Sequence, residues 1–142
     1  MPSPQTPAID LLGTDAAPAT VTTSYSAGAT SAAVDVFGHE TAGLYVWIDG
    51  IASATQLDIM IEVSPTGSAT ATEWVALKTE AVTAGAATQS SYELQVDVTG
   101  MSTDPTLAIF IPAPVRGAAY MRCKLKADAA CTAHVSYSLS GS

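Results

Sequence analysis

The chain has 142 residues, enough for one domain with a real core, and 48% of them are hydrophobic, which excludes general disorder. Thirteen acidic residues against 5 basic ones give a net charge of −8, and such a surface repels nucleic-acid phosphates. No run approaches the roughly 18 apolar residues of a membrane-spanning helix, and MPSPQTPAIDLLGTDAAPAT has neither the basic start nor the apolar middle of a secretory signal, so a soluble protein made in a cytoplasm is expected.

Residues 1–19 carry Pro2, Pro4, Pro7 and Pro18 with little periodicity and read as an extended arm. Only Ile9, Leu11 and Leu12 give it something to bury, so a neighbouring subunit is the natural thing to hold it.

Residues 20–142 read as one domain with a period of two. Thr20–Ser26 is a polar strand near an edge. Ser31–Phe37 sets Val34 and Val36 opposite Asp35. Gly43–Asp49 sets Leu44, Val46 and Ile48 opposite Tyr45 and Trp47. Gln56–Val63 turns Leu57, Ile59, Ile61 and Val63 inward and Asp58 and Glu62 outward. Glu73–Lys78 puts Val75 and Leu77 on one side, and Tyr92–Val98 turns Leu94, Val96 and Val98 inward. Leu107–Ile111 is short and is ended by Pro112. Ala118–Lys126 buries Met121, Cys123 and Leu125 and turns Arg122, Lys124 and Lys126 outward. Cys131–Leu139 buries Ala133, Val135 and Tyr137, with His134 facing outward. Ser64–Thr72 and Thr79–Ser91 are the longest loops.

Roughly eight or nine short strands and no helical period predict an all-β fold. Two packed antiparallel sheets in a jelly-roll-like sandwich fit best.

No catalytic, cofactor or metal site is legible. Asp58 and Glu62 share a strand face about 13 Å apart, too far for either glycosidase mechanism. His39 and His134 lack a Gly-x-Ser-x-Gly elbow and read as surface histidines. Two histidines cannot make a three-His centre, and Cys123 and Cys131 lack zinc-site spacing. These cysteines read as reduced core thiols, although a pair flanking one turn could also bridge it. No phosphate-binding glycine loop is present.

Two features could serve a partner. Tyr45 and Trp47 project to one face and suit either sugar stacking or burial at a subunit contact. Arg116, Arg122, Lys124 and Lys126 are four of the 5 basic residues, and three of them alternate along one strand. That stripe could dock an acidic partner or simply guard a solvated strand.

Several segments carry a resemblance: Val34–Asp35 in SAAVDVF, the strand GLYVWID, Glu62–Ser64 before a small-residue loop, Trp74, and Tyr120–Lys124 in AAYMRCKLKADAACTAHVSYSL. Across residues 31–140 the chain resembles small virion proteins from the head-gene modules of tailed bacteriophages and is similar to their capsid decoration, or cement, proteins. The resemblance implies a jelly-roll homotrimer on the capsid surface that clamps capsomer junctions without catalysis or cofactor. It also implies an arm (Ile9, Leu11, Leu12) reaching across a neighbour, loops on the major capsid protein, and weak glycan contact on the outer face. A carbohydrate- or receptor-binding module of a tail or spike is the alternative, and another tail or neck component a third. An enzyme comes last.

Overall fold

The computed structural model describes residues 8–77, 94–101 and 105–141. Within them lie ten strands: β1 (Ile9–Leu12), β2 (Ala19–Val21), β3 (Val34–Asp35), β4 (Thr41–Gly50), β5 (Gln56–Ser64), β6 (Val75–Ala76), β7 (Leu94–Asp97), β8 (Thr106–Pro114), β9 (Tyr120–Ala127) and β10 (Cys131–Ser140). The expected loop Thr79–Ser91, and Tyr92 with it, lie outside the described residues.

The strands form two antiparallel sheets. Sheet A runs β1-β10-β4-β8, with β2 also on β10, and sheet B runs β3-β9-β5-β6, with β7 also on β5. β1 and β2 share one edge position along β10, and β6 and β7 share one along β5. Ten strands therefore fill eight positions, and the strand order of the two sheets is that of a jelly roll, the chain changing sheet at every step except from β1 to β2 and from β5 through β7. The fold is the all-β sandwich that the alternation predicts.

The core is where the two inner faces meet. Leu44, Val46 and Ile48 of β4, with Val135 of β10, face Leu57, Ile59 and Ile61 of β5 and Met121, Cys123 and Leu125 of β9, all essentially fully buried. Each large aliphatic side chain so buried contributes roughly 1.5–3 kcal/mol. The polar partners of the alternation then fall on the outer faces.

Several local expectations change. The arm is part of the sandwich from Ile9 onward, because β1 hydrogen-bonds to β10 of its own chain. A register shift between Asp10 and Leu12 lets consecutive Leu11 and Leu12 both bury, which regular alternation forbids. The first polar strand shrinks to Ala19–Val21, and Val34–Asp35 is all that pairs within Ser31–Phe37. Pro112 does not end β8, which continues to Pro114 as the edge strand beside β4. An edge strand has one side without ladder partners, so a missing N–H costs little there. Around Trp74 the expected polarity is reversed: Val75 is exposed and Trp74 is buried.

Candidate functional site

The outer face of sheet B carries the basic stripe, and the register decides what the stripe does. Arg122 lies opposite Glu62, Lys126 opposite Asp58, and Lys124 opposite Met60. Arg122 Nε donates to Glu62 Oε1 at 2.7 Å, Lys124 Nζ reaches Glu62 Oε2 at 3.2 Å, and Lys126 Nζ lies 3.9 Å from Asp58 Oδ2. Gln56 Nε2 donates to the other oxygen of Asp58 at 2.7 Å. Trp74 covers the Arg122 guanidinium at 4.3 Å, and Tyr25 lies 4.9 Å from Lys126 Nζ. Asp58 and Glu62 are on the outward face, as expected, yet both are buried beneath these side chains. The three cations of the stripe are thus paired within their own sheet, by two carboxylates. Arg116 stands apart on an exposed turn, 3.8 Å from Glu40.

The outer face of sheet A is different. Tyr45 on β4 pairs with Phe110 on β8, and Trp47 with Leu107. Tyr45 and Trp47 are half-buried, while Phe110 and Leu107 are 46% and 43% exposed. The Tyr45 and Phe110 rings lie 4.9 Å apart, tilted by 46°. The Phe110 ring lies over Gly43, where a Cβ would come within 2.8 Å of it. Hydrophobic contact area on this face is therefore continuous across two strands. Of the expected arm contacts, Ile9 is exposed on β1, at the opposite edge of sheet A from β8, while Leu11 and Leu12 are committed to the core.

Beside this aromatic row sits a polar cluster. His134 was expected on the surface but is only 6% exposed. Its ring stacks on Trp47, with centroids 5.7 Å apart and planes within 2°. Its Nδ1 lies 2.8 Å from Asp49 Oδ2. Asp49 has no opposite residue on β10, because the register shifts between Thr132 and Ala133. A shift of this kind re-aims a side chain, and here the carboxylate meets His134. Asp15, on the β1–β2 turn, completes a set of three ligand-type atoms within 4.8 Å of one another. Sequence reasoning missed this set because its members lie in three separate elements. The only available signal was an aspartate and a histidine on outward positions of two long strands.

The thiols are free and buried, as expected for core cysteines. Burial pushes the Cys123 thiol up to about 12, against a smaller lowering by its Ser31 hydrogen bond. That makes it a poor nucleophile. Cys131 is also raised, by burial first and by the charge of Asp128 second.

Fold and faces together define an acidic jelly roll with one charge-compensated sheet and one aromatic sheet. No protein-family model, curated protein or solved structure matches the chain.

Proposed function

We propose that this chain is a structural virion protein of a tailed phage, a decoration protein that binds the outside of the capsid at capsomer junctions. It acts as a homotrimer through non-covalent contact with the major capsid protein. The observation that carries this reading is the row Tyr45–Phe110 and Trp47–Leu107 on sheet A. Aromatic and aliphatic side chains left open on a sheet face are suited to protein contact. The basic stripe is spent on Glu62 and Asp58, so the aromatic face and not the stripe supplies the attachment. Many modest contacts that exist only on the assembled shell would stabilise it by mass action.

A sugar platform fits this face less well. Tyr45 and Phe110 are tilted by 46°, and His134 covers one side of Trp47.

The test combines light scattering of the purified chain with co-sedimentation on undecorated capsids. A trimer that binds shells, with Phe110→Glu weakening either step about tenfold or more, supports the proposal. A monomer that leaves shells untouched sinks it.

A further inference from the structure

We infer that Asp15, Asp49 and His134 form a binding site for a single transition-metal dication of the Zn²⁺ class, which clips the β1–β2 turn to sheet A.

Three independent observations lead there. The first is the donor set: two carboxylates and one imidazole converge within 4.8 Å. An imidazole among carboxylates favours zinc-class ions over Ca²⁺ or Mg²⁺, which prefer all-oxygen surroundings. The second is an orphaned atom. The Asp49 side chain is 7% exposed, one oxygen contacts His134, and the other, Oδ1, is buried with no hydrogen-bond partner among the described residues. A buried carboxylate oxygen left bare is costly, and a cation is the partner that would satisfy it. The third is charge. The four described basic side chains pair with Glu40, Glu62 and Asp58, and none of those pairs includes Asp15 or Asp49.

The geometry suits the exchange of a proton for an ion. Ligand atoms around tetrahedral Zn²⁺ stand about 3.3 Å apart. Asp49 Oδ2 and His134 Nδ1 are already 2.8 Å apart, so an ion held by His134 Nδ1 and by both Asp49 oxygens takes the place of that hydrogen bond and gives the bare Oδ1 its partner. Asp15 is exposed and closes the remaining distance from its turn. That turn is tight: Thr14 N donates to Ala17 O at 3.0 Å, and Ala17 N donates to Thr14 Oγ1 at 2.9 Å. Gly13 enters it at φ +62, where a Cβ would meet Ala19 N at 2.7 Å. Trp47 stacks on the imidazole and fixes its plane. Three protein ligands leave a fourth position for water. The ion would join β1 and β2 to the centre of sheet A, so its effect falls on the edge of the sandwich nearest the N-terminus.

The experiment titrates Zn²⁺ into the chelator-treated full chain and follows binding by calorimetry. Co²⁺ serves as the spectroscopic probe. The expected result is one Zn²⁺ per chain, unaffected by excess Ca²⁺, with Asp15→Asn weakening binding about 10–100-fold. Asp49→Asn abolishes it, and Asp35→Asn, an exposed acid elsewhere, leaves it unchanged. Asp15→Asn lies on an exposed turn and retains the fold, which keeps the test valid if Asp49→Asn unfolds. The Co²⁺ spectrum should show tetrahedral bands without a thiolate charge-transfer band. Absence of saturable binding, equal affinity in Asp15→Asn and Asp35→Asn, or a thiolate band placing the ion on cysteine would each overturn the assignment.

Discussion

Glu62 on β5 holds two cations at once from β9, with Arg122 Nε at 2.7 Å from one oxygen and Lys124 Nζ at 3.2 Å from the other. Glu62 is 9% exposed at its side chain and Arg122 15%, so water screens the pair little. Removing one member of such a pair leaves a buried charge uncompensated, which costs more than the pair itself contributes. Glu62→Ala should lower unfolding stability by about 2–3 kcal/mol, at the lower end for a buried pair because the cations keep some solvent. The double replacement Glu62→Leu with Arg122→Met should recover most of it. Urea denaturation of the parent and the two variants measures both effects.

Cys123 gives the alkaline limit of stability a specific cause. Its thiol is raised from 9.0 to about 12 by burial. Between those values the folded chain keeps a proton that the unfolded chain has lost. Stability from this group is therefore complete below about pH 9 and declines as pH rises toward 12. Cys123→Ala should flatten the fall in urea midpoint between pH 9 and pH 11. Thiol labelling of the intact chain at pH 8 should leave Cys123 unmodified until denaturant is added.

Asp128 does the converse at the acid end. Its carboxylate accepts from the Thr55 hydroxyl, and from the Gln56 and Thr55 backbone N–H groups at 3.0 and 2.8 Å. These bonds hold it down to about 2, the Thr55 side chain contributing most. A depressed carboxylate stabilises the fold above its unfolded value and loses that contribution as pH falls through its folded one. The loss should therefore fall between about pH 4 and pH 2. Asp128→Asn should be less stable at neutral pH and show a shallower loss in that window, as followed by circular dichroism in stepped urea.

Gly43 tests the aromatic face without altering any of its aromatic side chains. A Cβ there would press on the Phe110 ring at 2.8 Å. Gly43→Ala should lift the ring away from the sheet, weaken shell binding, and leave the unfolding free energy within about 1 kcal/mol of the parent, since the displaced ring is already half exposed. A loss of shell binding comparable to that of Phe110→Glu is the expected result in co-sedimentation.

Much of the fold is legible in the residues because each face of a sandwich is set by a period of two. Leu57, Ile59 and Ile61 face inward with Met121, Cys123 and Leu125, as their alternation predicts. The places that escaped are those where the period breaks. The shift beside Leu11 and Leu12 drew the arm into sheet A, and the edge position of β8 let Pro112 stay within a strand.

By itself, the sequence determined the fold class, the core faces and the acidic surface, because alternation and composition are local properties that require no knowledge of neighbours. Tertiary structure alone decided the pairings. It set Arg122 against Glu62, 60 positions away, and His134 against Asp49, 85 positions away. Strand register places such residues side by side, and register is the sum of every turn, bulge and core contact between them. That sum turned a basic stripe into a ladder of ion pairs and a surface histidine into a buried one beside two carboxylates.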